Sequence, residues 1–130
     1  MKKILILGAN SYIGTSFENY IQQKYPDDYE IHTISLHGDT WRHENWSSYD
    51  SILNVTGKAH ADISKLSEEQ KQEYYAINCD LAVETAKKAI EGGAAQYIYL
   101  SSIIIYGDSS NSRTPVRITA DTKPAPSNFY

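Results

Sequence analysis

The sequence predicts an α/β fold in which helices cover both faces of a doubly wound parallel sheet. Short apolar runs alternate along the chain with longer amphipathic segments. Short, continuously apolar runs are typical of strands buried on both faces, and helical segments between them are typical of parallel strands joined by crossovers. The 130 residues suit a single domain, and 41% hydrophobic with 22% charged residues is ordinary for a globular protein.

The first half of the chain predicts three strands and one helix. Residues 3–7 form a strand whose apolar run stops at Gly8, and residues 51–55 form another that stops at Thr56-Gly57. Between them, apolar residues spaced three and four apart predict an amphipathic helix that begins near Ile13 and ends before Pro26. Residues 30–36 are rich in β-branched side chains and predict the second strand.

The second half predicts a long helix and one further strand. Residues 67–91 begin with a capping box, in which Ser67 is followed three residues later by Gln70, and they end at Gly92-Gly93, a typical C-cap. Residues 95–100 predict a strand, and residues 107–128, rich in Ser, Asp, Asn and Pro, predict mostly loop. The helix residues expected to face the sheet are Tyr74, Ile77, Leu81, Ala82, Ala86, Ala89 and Ile90.

This alternation predicts parallel strands in the spatial order 3-2-1-4-5, with the first strand inside the sheet. The third strand is expected to be short or missing, because only residues 38–49 separate the second strand from the next apolar run. A flavodoxin-like or receiver domain shows the same alternation. A receiver, however, carries acidic residues at the end of its first strand, where this chain has Gly8-Ala9-Asn10.

The turn after the first strand is a candidate phosphate-binding loop. Gly8 permits a tight turn, and Gly14 lets the following helix pack closely on the sheet. Between the two glycines, the helix N-terminus offers free N–H groups and a positive dipole end to a pyrophosphate. An ordinary strand-to-helix turn is the alternative interpretation of this spacing.

Composition excludes several classes of protein. The formal charge of −4 argues against nucleic acid as a partner, since nucleic-acid-binding proteins carry basic surfaces. A single cysteine, Cys79, forms no internal disulfide or cysteine metal cluster, which indicates a reducing compartment and hence the cytoplasm. No apolar stretch approaches the length of a secretory signal or membrane helix, so we expect no membrane association. The four histidines lack metal-pair spacing, and no metal site is expected.

Five segments resemble one family in order along the chain. Gly8-x-x-Ser11-x-x-Gly14 resembles the G-x-x-G-x-x-G fingerprint of the extended short-chain dehydrogenases/reductases, the family of nucleotide-sugar epimerases and dehydratases, although Ser11 replaces the middle glycine. Four further segments resemble the family's H-x-A-G, Y-x-x-N, S-S-x-x-V-Y-G and P-x-x-x-Y patterns. They are Asn54-Val55-Thr56-Gly57, Tyr74–Asn78, Ser101–Gly107 and Pro126–Tyr130.

The resemblance implies a Rossmann fold and hydride transfer between a nucleotide sugar and NAD or NADP. By matched motif, the catalytic residues are Ser102, whose hydroxyl bonds the reacting oxygen, and Tyr130, the base. Tyrosine has an unperturbed pKa near ~10, so the family places a lysine four residues after it. The implied cofactor-binding residues are Gly8, Asn10, Ser11, Tyr12, Ile13, Gly14, Ser35, Asp39, Thr56, Gly57 and Asn78.

The choice between NAD and NADP depends on the end of the second strand. An NAD site usually has an acidic residue there, bonding the ribose 2′-hydroxyl, whereas this chain has Ser35-Leu36-His37-Gly38. His37 and Arg42 are close enough in sequence to face a 2′-phosphate, or else are ordinary loop residues. Asp39 is instead a match for the family's aspartate near the adenine ring. The balance favours NADP.

The chain ends at Tyr130, so we expect residues 1–130 to be an incomplete NAD(P)-binding domain that lacks the lysine, the last strands and the family's substrate-binding lobe. We expect weak cofactor affinity, no turnover by this piece, and self-association through an uncovered sheet edge. A non-catalytic NAD(P)-binding sensor is the alternative function. The identity of the sugar is left open, because its contacts lie in the lobe.

Overall fold

Four parallel strands form the sheet in the computed structural model, which describes residues 1–59, 63–107 and 113–127. The strands are β1 (Lys2–Leu7), β2 (Tyr29–Ile34), β3 (Ser51–Asn54) and β4 (Gln96–Tyr99). Their spatial order is β2-β1-β3-β4. The predicted parallel sheet with the first strand inside is therefore confirmed, and the third strand, which was expected to be short or missing, is missing among the described residues.

The helices are α1 (Tyr12–Lys24), α2 (Thr40–His43), α3 (Glu68–Tyr75) and α4 (Leu81–Glu91). Single 3₁₀ turns occupy Ile63–Lys65 and Ile103–Tyr106. The short α2 stands where the third strand was expected. No helix among the described residues has both the length and the apolar character needed to cross a bilayer.

Pairing with two neighbours buries β1 and places its side chains alternately on the two faces of the sheet. Leu5 and Leu7 point to the face that holds the main core, where Ile52 of β3 and Ala89 of α4 join them. The two tryptophans of the Thr40–Trp46 segment complete this core, with 1% and 2% of their surfaces exposed. Ile4 and Ile6 point to the opposite face, where Gly14 lies against Ile6.

Residues 68–91 are helical throughout, but a π-helical turn over Ala76–Asp80 separates α3 from α4. The predicted capping box of Ser67 and Gln70 is present. The prediction that Ile90 faces the sheet is wrong, because its side chain is 76% exposed while Thr85 is fully buried. The buried line of α4 runs through Leu81, Thr85 and Ala89 at four-residue spacing, and Ile90, about 100° around the helix from Ala89, falls outside it.

Candidate functional site

The loop between β1 and α1 approaches the end of β3 closely. Gly8 has φ +121°, a conformation that favours glycine, and a Cβ there would lie 3.0 Å from the Val55 side chain. A Cβ on Gly14 would lie 3.2 Å from Ile6 and 3.3 Å from Val55. Both glycines thus keep the loop and the start of α1 against the sheet, in the roles that their sequence positions predict.

Ser11 caps α1. Its side chain accepts a hydrogen bond from the Gly14 N–H at 3.4 Å, and its backbone is extended, as at an N-cap. Asn10, just before it, has φ +63°, which asparagine tolerates better than most residues. The next two predicted residues, Tyr12 and Ile13, are 86% and 52% exposed. The N-terminus of α1 is therefore open at the carboxyl ends of the strands.

A crevice lies between the loop that follows β1 and the loop that follows β3, and Thr56 and Gly57 form its wall on the β3 side. The Thr56 N–H donates to Asn54 Oδ1 at 2.8 Å, and the Thr56 hydroxyl donates to the Leu7 carbonyl at 3.1 Å. These bonds fix the loop after β3 beside the end of β1. Gly57 is exposed, and among the described residues a Cβ there would meet Asn78 Oδ1 alone, at 3.7 Å.

Two adjoining cavities, of about 380 and 670 Å³, lie along this edge of the sheet and share Val55, Thr56 and Gly57. The smaller lies toward β2 and the larger toward β4. The predicted site residues that line the smaller cavity are Gly8, Asn10, Ser11, Ser35, Thr56 and Gly57. Those that line the larger one are Ile13, Thr56, Gly57, Asn78 and Ser102. Tyr12, Gly14 and Asp39 line neither cavity.

Asn78 lies in the π-helical turn and bonds the loop after β3 at two points. Its Oδ1 accepts from the Lys58 N–H at 2.8 Å, and its Nδ2 donates to the Lys58 carbonyl at 2.9 Å. The Asn78 carbonyl accepts from the Tyr99 hydroxyl at 3.0 Å. The amide is therefore a structural tie to the chain beyond a neighbouring strand, a role that is compatible with the cofactor contact that the resemblance implies for Asn78.

Ser102 stands at the start of the 3₁₀ turn after β4, where its hydroxyl accepts from the Ile104 N–H at 3.4 Å. It lines the larger cavity opposite Asn78. Tyr130, the predicted base, lies outside the described residues. Among those described, no three His, Cys, Asp or Glu side chains are grouped so as to hold a metal ion.

Arg42 is bound to two carboxylates. Its Nε and Nη2 donate to the two oxygens of Glu84 at 2.5 and 2.8 Å, and its Nη1 donates to Asp39. Its guanidinium also lies 4.5 Å from the centre of the Trp41 ring. The hydrogen bond from Arg42 is the main cause that lowers the pKa of Glu84 below its ordinary value. His37, the other predicted cation, lines the smaller cavity.

Two features of the site escaped sequence analysis. Lys58 lines the larger cavity, and its ammonium pairs with Glu73 and lies 5.5 Å from the centre of the Tyr74 ring. Asn54 is 1% exposed, and its Nδ2 donates to the Tyr97 hydroxyl at 2.9 Å and to Thr85 Oγ1 at 3.3 Å. Only their positions in the sequence could have indicated these two residues. Lys58 directly follows Gly57, and Asn54 is the polar residue at the end of an apolar strand.

No protein-family model matches the sequence, and no curated protein sequence matches it. Solved structures do match. The UDP-Glc/GlcNAc 4-epimerase of Campylobacter jejuni superposes with a TM-score of 0.72 at 20% identity, over 100% of this chain and 45% of that one. The UDP-glucuronic acid 4-epimerase of Bacillus cereus, determined with NAD, superposes with a TM-score of 0.73 at 14% identity, over 98% of this chain and 47% of that one.

The dTDP-glucose 4,6-dehydratase of Bacillus anthracis, also determined with NAD, gives a TM-score of 0.69 at 16% identity, over 98% of this chain and 45% of that one. The chain thus spans less than half the length of the structures it resembles. At these identities the likeness establishes the fold. The chain shares the Rossmann fold of these epimerase and dehydratase structures, which is the fold that the resemblance of its motifs implies.

Proposed function

We propose that residues 1–130 are the dinucleotide-binding part of an NAD(P)-dependent nucleotide-sugar epimerase, dehydratase or reductase that acts by hydride transfer. The observation that carries this proposal is the convergence of the Gly8–Gly14 loop, Ser35 and Thr56-Gly57 on one crevice at the carboxyl ends of β1, β2 and β3. In doubly wound sheets, dinucleotides bind where the strand order reverses, which is here between β1 and β3.

The residues present fit a dinucleotide. Gly8 keeps the loop free of a side chain where a Cβ would crowd Val55, and α1 begins with N–H groups that its own helix leaves unpaired. These groups and the helix dipole would hold the pyrophosphate. Gly57, open on its crevice side, would let the cofactor pass from the smaller to the larger cavity. When bound, the nicotinamide supplies the hydride acceptor.

In the larger cavity, Ser102 would hydrogen-bond the reacting sugar oxygen, and Tyr130 would take its proton. The tie between Asn78 and Lys58 would keep the wall of this cavity fixed while substrate binds. The substrate class, a nucleotide sugar, follows the resemblance, and the named structures include epimerases of UDP-sugars and a dTDP-glucose dehydratase. We further propose a cytoplasmic protein that self-associates. The sequence favours NADP, while two of the similar structures were determined with NAD.

ADP-ribose is the probe that tests the crevice, because it carries the pyrophosphate and both riboses of the cofactor without the nicotinamide. We expect nuclear magnetic resonance titration of the 130-residue chain to show weak binding, with shifts at residues 8–14 and 55–57. The Gly57→Val variant should bind at least about tenfold more weakly, since two γ-methyls would fill the channel between the cavities.

Ala95→Val is the matched control, because it adds the same branched side chain at an exposed position outside the crevice. Equal binding by Gly57→Val and Ala95→Val would contradict the proposed site. For the reaction, NAD, NADP and a set of UDP- and dTDP-hexoses are to be assayed with the full-length protein. Cofactor binding without hydride transfer there would favour the non-catalytic sensor.

A further inference from the structure

A bridge of charged side chains joins α2 to α4, and its residues Arg42 and Glu84 line a separate small cavity of about 240 Å³. Arg42 binds both oxygens of Glu84, although the two residues are 42 positions apart in sequence. The same guanidinium donates to Asp39 and, at 3.4 Å, to the Gly38 carbonyl. All three charged side chains are at the surface, with 37% of Arg42, 43% of Glu84 and 82% of Asp39 exposed.

The bridge residues are close in sequence to residues that line the smaller cavity, where the adenosine ribose is expected. Gly38 directly follows His37, and Glu84 lies one helical turn beyond Leu81; His37 and Leu81 both line the smaller cavity. In dinucleotide-binding sheets the ribose 2′-position lies at the end of the second strand, where an acidic residue favours NAD and a free arginine accommodates the 2′-phosphate of NADP. The state of Arg42 therefore bears on which cofactor binds.

The contacts leave Arg42 little capacity for a new anion. Its three guanidinium nitrogens all donate to carboxylates, and one face of the group is stacked on Trp41. Lys88, a further cation at this corner, donates to the Arg42 carbonyl and lies over Trp46. A 2′-phosphate, which carries between one and two negative charges near neutral pH, would have to displace Glu84 or Asp39 before it could bind the guanidinium of Arg42.

We propose that Glu84 and Asp39 are specificity-determining residues: by binding Arg42 they withhold it from a 2′-phosphate, so the crevice prefers NAD to NADP. The inference rests on the proposed function, since it concerns the same dinucleotide site. It reverses the preference for NADP drawn from the sequence, in which no acidic residue directly follows β2. The acidic residue is supplied instead from a helix that follows β3.

The test compares ADP-ribose with 2′-phospho-ADP-ribose, which differ only by the 2′-phosphate, using nuclear magnetic resonance titration. The wild-type chain should bind ADP-ribose more tightly. Glu84→Gln removes the charge while keeping the side-chain shape, and it should raise the relative affinity for the phosphorylated form about tenfold, the effect of one charge-assisted hydrogen bond. Asp39→Asn should act in the same direction through the second carboxylate.

Glu69→Gln is the matched control, because it removes the same charge from an exposed position of α3 that lines none of these cavities. It should leave the ratio unchanged, and Arg42→Gln added to Glu84→Gln should abolish the gain. Thermal unfolding of each variant checks that it folds. The inference would be overturned if Glu84→Gln left the ratio of the two affinities unchanged, or if the wild-type chain preferred the phosphorylated form. Binding of ADP-ribose would still support the proposed function in either case. If neither nucleotide binds, both fail.

Discussion

At the scale of single residues, the positions that matter most are those where a side chain is absent or already engaged. Gly8 and Gly14 were predictable, because a glycine at a strand end or a helix start has a definite structural use. Ser11 replaces the middle glycine of the family pattern, so it adds a side chain near the expected position of the phosphate. The structure shows what this side chain does, since its hydroxyl caps α1. The engagement of Arg42 was not predictable, because its partner Glu84 comes from a distant helix.

Gly8→Ala tests the glycine turn. The variant combines φ +121° with a Cβ 3.0 Å from Val55, and we expect it to lose about 1–3 kcal/mol of unfolding free energy. Gly93→Ala is the control, since Gly93 also has positive φ (+79°) but nothing within 4 Å of a Cβ. Its loss should be about 1 kcal/mol. Urea denaturation measures both, and equal losses would show that contact with β3 contributes nothing.

At the scale of elements, the sequence located every strand that the structure contains but not every detail of the helices. The capping box and glycine C-cap marked the ends of residues 68–91 correctly. The π turn over Ala76–Asp80 has no marker in the spacing of apolar residues. Leu81 and Ala89 were predicted on the correct face of α4, but Ile90, the residue after Ala89, was not, because the buried line passes through Thr85 instead. Burying Thr85 is feasible because its hydroxyl donates within α4 and contacts the Tyr97 hydroxyl at 2.8 Å.

The network of Asn54, Thr85 and Tyr97 ties β3, α4 and β4 together. Asn54→Leu keeps the volume but leaves the Thr56 N–H without its acceptor, and we expect a loss of about 2–3 kcal/mol of unfolding free energy. Tyr97→Phe should lose less, because Thr85 can still bond Asn54. Ser51→Ala on the same strand, which removes only a 3.5 Å contact with Gln96, should change stability by under about 1 kcal/mol. Equal melting temperatures for Asn54→Leu and Ser51→Ala would contradict this assignment.

At the scale of the whole molecule, the sheet order was predictable because alternating runs and helices allow few connections. The packing of side chains on the faces of the sheet was less predictable. Beside α1, an apolar hollow of about 410 Å³ follows the face of β3 and β4 and is lined in part by Leu53, Ile98 and Leu100. Ile98 and Leu100 are 41% and 40% exposed, whereas β2, at the other edge, carries Glu30, which pairs with Lys3 of β1. Charges protect a sheet edge from pairing, and β4 has none.

We therefore predict concentration-dependent self-association of the 130-residue chain through the β4 side of the sheet. Ile98→Lys should shift sedimentation equilibrium toward the monomer, because a lysine in the hollow opposes both edge pairing and apolar contact. Thr33→Lys adds the same charge to β2 and should leave the association unchanged. A wild-type chain that is monomeric at every concentration, or equal effects of the two lysines, would contradict the prediction.

The stacked tryptophans give the region around Arg42 and Glu84 its own spectroscopic signal. Trp41 and Trp46 are the two tryptophans of the chain, their ring centres are 5.9 Å apart, and the planes differ by 30°. Indoles at this separation couple their electronic transitions, so the pair should give a split near-ultraviolet dichroism band that vanishes when the rings part. Because Arg42 lies on one ring and Lys88 on the other, the emission colour should also respond when the charges around Glu84 change. The chain thus carries an intrinsic spectroscopic reporter beside the crevice, and it requires no label.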